Sequence, residues 1–269
     1  MVRSDPRIPQ SKEQFVKYLF SFVAIGALLL GISSSAQAQT EVTLLGPNPF
    51  RGTLTKLVTG FESKTGYKLK LTLGKGLGTR RQVARGEMFD VSILLPPYPE
   101  ALASGNIDPK SATTLAKLTL ALGVKKGAPK PDISTPKALK QALLAAKSVA
   151  FVDPSVGSDG SATRDALQKM GVIDLIDSKI VLASTANGAA DLVTKDEADL
   201  CIYYLNEMQE NAKVDVVGRL PKQFAPPVNV VAFISTHVKD AKAAKALVDY
   251  LSSPDIEAIY EKDGLEPAH

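Results

Sequence analysis

Residues Val149 to Gly171 read VAFVDPSVGSDGSATRDALQKMG and contain the clearest fold signal in the chain. Val149 to Val152 form a short apolar run that Asp153-Pro154 ends. A loop of small residues follows, and then apolar residues repeat at helical spacing until Gly171 stops the pattern. This order of strand, loop and helix leaves unpaired backbone N–H groups and the positive end of a helix dipole at the loop, which suits an anion.

The N-terminal segment has the composition of a secretory signal peptide. Lys12 and Lys17 precede an apolar run from Tyr18 to Ile32, and the small residues Ala36-Gln37-Ala38 follow it. The run is shorter than the roughly 20 residues that span a bilayer, so an uncleaved membrane anchor is the weaker alternative. We expect residues 1–38 to be a signal peptide that is cleaved after Ala38, and the mature protein to be periplasmic.

The overall composition is that of a globular protein without a strongly charged surface. The chain has 269 residues, of which 45% are hydrophobic and 22% are charged. The leader carries four of the 32 basic and two of the 28 acidic side chains, so the net charge of the remainder is near +2. Such a charge indicates neither a nucleic-acid nor a membrane partner. Cys201 is the one cysteine, and its apolar neighbours predict a buried thiol.

Short apolar runs alternate with amphipathic helical patterns, which predicts an α/β fold with mainly parallel sheets. Two predicted strands indicate crossovers between two lobes. Leu118 to Val124 leads into a Pro/Gly segment, and Val228 to Ile234 follows a pair of prolines. Each predicted lobe is a mainly parallel sheet flanked by helices. Lobe one is expected to contain residues 39–121 and 228–269, and lobe two residues 122–227.

Sequence motifs for common catalytic and cofactor sites are absent. The two histidines are His237 and the C-terminal His269. A Ser-His-Asp system needs a positioned histidine, and His237 is expected on the surface just before the last helices. No cysteine–histidine spacing of a zinc site occurs. No HExxH, Walker A or GxGxxG pattern occurs. We therefore expect no metal, no cofactor and no enzyme activity. An enzyme on this fold would need another general acid or base, for which Asp159 and Glu207 are the candidates.

A second loop is built like the first. Gly74 to Arg81 reads GKGLGTRR, follows a predicted strand and opens a predicted helix. Its glycines let the backbone approach a ligand closely. Lys75 and Arg80 add positive charge, and the guanidinium suits carboxylate or phosphate-like groups. The loop Gly46 to Arg51 follows the first predicted strand. Because ligands of open α/β sheets bind beyond the carboxyl ends of strands, we expect these loops to face a cleft between the lobes.

Over nearly the whole mature chain, the ordered set of segments resembles the periplasmic molybdate-binding proteins and, more broadly, the type 2 solute-binding proteins of ABC importers. Ser148 to Asp174 (SVAFVDPSVGSDGSATRDALQKMGVID) is similar to the family's strand, Pro-Ala-Gly-type loop and helix. Asp196 to Tyr204 (DEADLCIYY) is similar to the family's GEADAGIVY segment, which implies that Tyr204 faces the ligand. The resemblance implies the two-lobe periplasmic binding protein type 2 fold, with two interlobe crossovers.

The departures from the family pattern fall on ligand positions. The family's first loop, Ala-Ala-Ser-Leu, corresponds to Pro47-Asn48-Pro49-Phe50, and its serine pair corresponds to Lys75-Gly76. The alanine of the Pro-Ala-Gly loop corresponds to Asp159, whose carboxylate would repel a doubly negative oxyanion unless it points away. Lys75 and Arg80, which the family pattern lacks, favour a different anion such as an organic carboxylate.

We therefore predict a periplasmic solute-binding protein of an ABC importer. It would capture a small anion, either a molybdate-like oxyanion or a small organic carboxylate, by hinge closure. The alternatives are an exported sensor domain that hands its ligand to a signalling partner and an enzyme on the same fold. The expected partners are the anionic ligand and the importer permease, with no nucleic acid, and the expected state is a monomer. The predicted ligand-binding residues are Asn48, Lys75, Gly76, Thr79, Arg80, Ser158, Ser161, Gly188 and Tyr204.

Overall fold

Two β-sheets with helices on their faces form the part of the chain that the computed structural model describes, which is residues 40–74, 78–185 and 188–268. The predicted signal peptide, residues 1–38, lies outside the described residues. Within them, no helix has the length and apolarity that crossing a membrane requires.

The first sheet is built from both ends of the chain. Its strands are β1 (Glu41–Pro47), β2 (Lys68–Gly74), β3 (Val91–Leu94), β4 (Thr113–Leu118), β10 (Val228–Ile234) and β11 (Glu266–Pro267). They lie in the order β11-β4-β10-β3-β1-β2. β1 pairs in parallel with β2 and β3, whereas β10 lies antiparallel between β3 and β4. The strand that completes the middle of this sheet therefore comes from near the C-terminus.

The second sheet is formed by the middle of the chain. Its strands are β5 (Leu120–Lys125), β6 (Val149–Val152), β7 (Ile180–Ala183), β8 (Leu200–Tyr204) and β9 (Val214–Arg219). In the order β7-β6-β8-β5-β9, β6 is parallel to β7 and β8, and β5 is antiparallel to β8 and β9. The two-lobe α/β prediction is confirmed. Both sheets are mixed rather than mainly parallel, because strands at the crossovers run against their neighbours.

Helices cover the sheets, and several begin or end at residues that the sequence marks. Gly66 ends the first helix in the left-handed region, at φ 78°. The Thr135 side chain caps the fourth helix by accepting a hydrogen bond from the N–H of Ala138. The helices are α1 (Arg51–Thr65), α2 (Gly78–Ala84), α3 (Pro99–Ala103), α4 (Pro136–Ala145), α5 (Ser158–Lys169), α6 (Gly188–Thr194), α7 (Leu205–Glu210), α8 (Ala241–Leu251) and α9 (Pro254–Lys262).

The first crossover between the sheets is shorter than predicted. The predicted strand Leu118 to Val124 is divided, because Leu118 ends β4 in the first sheet and Leu120 begins β5 in the second. Thr119 alone connects the two strands. Leu118 and Leu120 both lie in the apolar core, so the alternation of leucines continues across the crossover. The sequence pattern therefore does not show where one strand ends and the next begins. The boundaries of the lobes along the chain stay a prediction.

Phe50 and Cys201 are both buried. Phe50, which follows β1 in a short 3-10 helix, is fully buried and packs on Tyr260 with ring centroids 5.4 Å apart. This contact anchors the segment after β1. Cys201 is buried as predicted, and burial raises the pKa of its thiol to about 12, so the thiol stays protonated.

Candidate functional site

A cavity of about 490 Å³ lies between the segment after β1 and the segments after β8 and at α6. Asn48 and Pro49 form part of the wall on the side of the first sheet, and Tyr203 forms part of the opposite wall. The charged residues that line it are Arg51, Asp191, Glu207, Glu210 and Lys213. Both signs of charge thus meet in one interlobe space.

The two lobes touch at the edge of this cavity. The amide of Asn206 at the start of α7 donates a hydrogen bond of 2.6 Å to the carbonyl of Pro49, and both residues are buried. The Glu210 carboxylate lies against Gly52, where a Cβ would overlap it. Glycine at position 52 therefore lets helix α7 approach the first turn of α1.

The sequence segment Val149 to Gly171 folds as predicted, with β6 leading through a small-residue loop into α5. Gly160 is required there, because a Cβ at this position would overlap the carbonyl oxygen of Val152. The start of α5 is therefore pressed against the end of β6. Asp159 is the second residue of α5, and only 3% of its surface is exposed.

The Asp159 carboxyl is buried, and its hydrogen bonds do not fully offset the cost of burying its charge. Burial raises its pKa to about 6, although hydrogen bonds from the backbone N–H groups of Gly160 and Asp159 itself act in the opposite direction. Its Oδ2 atom has no hydrogen-bond partner among the described residues. The carboxyl therefore lies where the first N–H groups of α5 would otherwise receive an anion.

Glu207 is a second perturbed carboxyl. It lies in the first turn of α7, directly after β8, and lines the cavity. Burial raises its pKa to about 8; the charge of Asp159 adds to the effect and Arg51 opposes it. The sequence marked Glu207 only as a possible acid or base. Its position in the cavity could not be predicted, because a six-residue helix has too few residues for a periodic pattern.

The two tyrosines of β8 point to opposite faces of the sheet, as strand alternation predicts. The Tyr204 hydroxyl lies 3.5 Å from the hydroxyl of Ser158. Tyr203 lines the cavity, and its buried hydroxyl has no hydrogen-bond partner among the described residues. Burial raises the pKa of both phenols, so both are protonated donors at neutral pH.

Arg80 lies at a second cavity, of about 220 Å³, that Tyr98 and Glu100 also line. Its guanidinium donates a hydrogen bond to the carbonyl of Pro97. Burial lowers the pKa of Arg80, and the neighbouring charge of Arg81 lowers it further. The guanidinium is thus partly desolvated, which strengthens its attraction for an anion.

The other predicted site residues are distributed around this region. Thr79 is buried beside Gly74, and Gly188 begins α6. The Ser161 hydroxyl donates to the carbonyl of Pro154, so it holds the loop before α5. Lys75 and Gly76 lie outside the described residues. The structure brings Ser158 to Tyr204 and Asn48 to the larger cavity, and a ligand contact by any of the nine stays a prediction.

Within residues 40–74, 78–185 and 188–268, no three histidine, cysteine, aspartate or glutamate side chains are grouped as a metal site would need. The chemical groups that the described part of the site offers are cationic side chains, hydroxyl donors and the two perturbed carboxyls of Asp159 and Glu207.

Comparison with known proteins identifies the protein class. The family described as "Bacterial extracellular solute-binding protein" matches residues 42–266. An aconitate isomerase from Pseudomonas sp. is 30% identical over 253 residues, which cover 91% of this chain and 95% of that protein. The molybdate-binding protein ModA of Azotobacter vinelandii is 27% identical over 238 residues, covering 86% of this chain and 91% of that one.

The solved structures agree on the fold. The periplasmic molybdate-binding protein of Azotobacter vinelandii superimposes with a TM-score of 0.70 at 22% identity, over 85% of this chain and all of that one. The resemblance to molybdate-binding proteins is thereby confirmed at the level of family and fold.

Proposed function

Since the chain belongs to the bacterial extracellular solute-binding proteins, we propose that it captures a small organic polycarboxylate between its two lobes. The observation that carries this proposal is the buried Asp159 carboxyl at the start of α5. In a binder of tetrahedral oxyanions, the free N–H groups of such a helix would face the ligand.

Charge distribution separates the two ligand classes. A molybdate-like dianion concentrates its charge within one small ion, and each pair of unit charges 4 Å apart repels by about 4 kcal/mol at an effective dielectric constant of 20. A polycarboxylate spreads its charges along a carbon skeleton. Its carboxylates can therefore lie towards Arg51 and Lys213, which line the larger cavity, or towards Arg80, which lines the smaller one, and away from Asp159.

Size supports the same class. A space of about 490 Å³ is within the range of small-molecule sites and exceeds what a four-oxygen ion fills. The relative at 30% identity is named for aconitate, a six-carbon tricarboxylate. We further propose that closure of the lobes traps the ligand in the periplasm and that an ABC importer permease receives it from the monomeric protein.

A thermal-shift screen tests the ligand class. Citrate, tricarballylate, cis-aconitate and trans-aconitate would be compared with molybdate, tungstate and sulfate. A ligand at 100 times its Kd stabilises the folded state by about 2.7 kcal/mol, which raises the Tm of a domain of this size by roughly 5–10 °C. Stabilisation by molybdate or tungstate, with none by the carboxylates, would show that the proposed ligand class is wrong.

Arg80→Gln should weaken the best carboxylate at least tenfold, because one charge-assisted contact is lost. Arg85→Gln is the matched control, since Arg85 follows the same helix and is exposed. Equal affinity in both variants would exclude Arg80 as a ligand contact.

A second candidate function is isomerisation of an unsaturated polycarboxylate. It is favoured by the aconitate isomerase relative and by the presence of two perturbed carboxyls at the site. Incubation with trans-aconitate, followed by proton NMR for the cis isomer, tests it directly. If the protein binds trans-aconitate and never forms the cis isomer, capture without turnover is the function.

A further inference from the structure

Tyr203 is the tyrosine of β8 that lies at the larger cavity. It forms part of the wall of this 490 Å³ space, and only 3% of its surface is exposed. Tyr204 is not among the described residues that line the cavity, and its hydroxyl lies beside that of Ser158. A ligand in the larger cavity therefore lies against Tyr203.

The Tyr203 hydroxyl is a buried hydrogen-bond donor without a partner in residues 40–74, 78–185 and 188–268. Most buried polar groups in native proteins are paired, and an unpaired one costs free energy. Packing does not call for this hydroxyl, because a phenylalanine ring would fill the same space without that cost. Burial raises the pKa of the phenol, so the hydroxyl keeps its proton and stays a donor.

A buried acceptor beside the same cavity is also unpaired. The amide nitrogen of Asn206 donates to the carbonyl of Pro49, and Pro49 lines the cavity. This bond fixes the orientation of the amide, and its Oδ1 atom is left without a partner among the described residues. The surroundings of the cavity thus leave one donor and one acceptor unmatched.

Acidic side chains outnumber the cations on the cavity wall. Asp191, Glu207 and Glu210 line it, together with Arg51 and Lys213. None of these five takes part in a salt bridge with another described residue. A polycarboxylate whose charges lie towards the two cations must therefore turn an uncharged part towards the acidic side chains, and a hydrogen-bond donor suits them best.

One common functional group satisfies both requirements. An ionised carboxylate only accepts hydrogen bonds, and an ammonium group only donates them. A hydroxyl accepts one hydrogen bond and donates another. It also brings no further charge that would have to be taken out of water.

Resting on the capture of a polycarboxylate proposed above, we infer that the ligand carries a hydroxyl group and that Tyr203 is the residue that selects for it. The ligand hydroxyl accepts the hydrogen bond of Tyr203 and donates its own to the acidic side of the cavity, while the carboxylates lie towards Arg51 and Lys213. Closure of the lobes moves the wall of Asn48 and Pro49 onto the ligand. The ligand hydroxyl then replaces the groups that cover the tyrosine hydroxyl in the empty protein.

Citrate and tricarballylate are a matched pair of ligands for testing this inference. They carry the same three carboxylates and differ only in the hydroxyl on the central carbon. L-malate and succinate form the corresponding four-carbon pair. Calorimetric titration of the wild-type protein should give a Kd at least about tenfold lower for the hydroxylated acid of the pair that binds, because a site with an unpaired buried donor rejects the analogue that leaves it unpaired.

Tyr203→Phe removes the hydroxyl and keeps the ring. The variant should bind both acids of the pair within about threefold of each other, through weaker binding of the hydroxylated one. Its free energy of unfolding without ligand should not fall below the wild-type value, because the lost hydroxyl has no partner among the described residues. A merely structural role of the hydroxyl would instead lower stability and leave the preference unchanged.

Tyr67→Phe is the matched control. Tyr67 follows the C-terminal end of α1, whereas the cavity lies at the N-terminal end of this 15-residue helix. The control should keep the wild-type preference for the hydroxylated acid. Loss of the preference in both variants would show that the effect is not specific to Tyr203 and would overturn its assignment.

The outcomes separate this inference from the proposed function. Wild-type protein that binds no polycarboxylate overturns both. Equal or weaker binding of the hydroxylated acids overturns the inference and leaves capture of polycarboxylates standing. A preference that Tyr203→Phe retains assigns recognition of the hydroxyl to other residues and overturns the role of Tyr203.

Discussion

Replacing Asp159 by asparagine should stabilise the ligand-free protein above pH 6 and leave its stability at pH 4 nearly unchanged. Asparagine has the same shape, and its side-chain oxygen can still accept hydrogen bonds from the backbone N–H groups of Asp159 and Gly160 that now reach the carboxylate. It removes the buried negative charge. The variant therefore isolates the cost of ionising this one group.

The magnitude follows from the difference between the folded and unfolded carboxyl. Burial raises the pKa of Asp159 from 3.8 to about 6. The folded state therefore binds more protons than the unfolded state between these values, and wild-type stability falls as the pH rises from 4 to 6. With 1.36 kcal/mol for each pH unit, the loss is about 3 kcal/mol above pH 6, and Asp159→Asn should recover it.

Urea denaturation of both proteins at pH 4, 5, 6 and 7 measures the effect. The free energy of unfolding of the variant minus that of wild type should grow by about 3 kcal/mol across this range, or roughly 6–12 °C in Tm. Exposed Asp165→Asn should change by less than about 0.5 kcal/mol at every pH. A difference between Asp159→Asn and wild type that is the same at pH 4 and pH 7 would refute the buried-charge reasoning.

Two further predictions concern closure and local packing. Asn206→Ala removes the interlobe hydrogen bond to Pro49, so calorimetric ligand affinity should fall up to about tenfold. Gly160→Ala should cost more than about 2 kcal/mol in urea denaturation, since its Cβ would overlap a backbone carbonyl.

Each of these has a control or a contradicting result. Asn229→Ala, at an exposed position, should leave affinity unchanged, and an equal loss there would show that the effect is not local to the lobe contact. A Cβ at position 218 would contact only the end of the Ile133 side chain, at 3.0 Å. Gly218→Ala should therefore lower the free energy of unfolding by less than about 1 kcal/mol. If Gly160→Ala lowers the free energy of unfolding no more than Gly218→Ala does, the close approach of α5 to β6 is not required.

The regular elements were predictable because their signals are local. The segment Val149 to Gly171 gave a strand, loop and helix from apolar spacing and glycine positions alone. The crossover at Thr119 was not predictable, because buried leucines precede and follow it with unbroken alternation. Whether two strands share a sheet depends on pairing between distant segments, which periodicity does not report.

The candidate site divides in the same way. Residue types at strand ends, such as Asn48 and Tyr204, follow from topology. The unusual carboxyl chemistry does not, since it depends on how deeply a side chain is buried and which charges surround it. Asp159 could be singled out from the sequence because it departs from a family pattern. The position of Glu207 in the cavity and the effect of Arg51 on the pKa of Glu207 are shown only by the structure.

The position of β10 at the centre of the first sheet sets an order on how the chain assembles. Ser92 of β3 pairs with Phe233 of β10. The first sheet therefore cannot be completed until a segment near the C-terminus has been synthesised and has paired with the earlier strands. The second sheet uses one continuous stretch and can form earlier. Because closing a long loop costs entropy and slows folding, a growing or refolding chain should acquire its second lobe before its first. Until then β1, β2 and β3 expose unpaired edges, which makes this stage the one at greatest risk of aggregation.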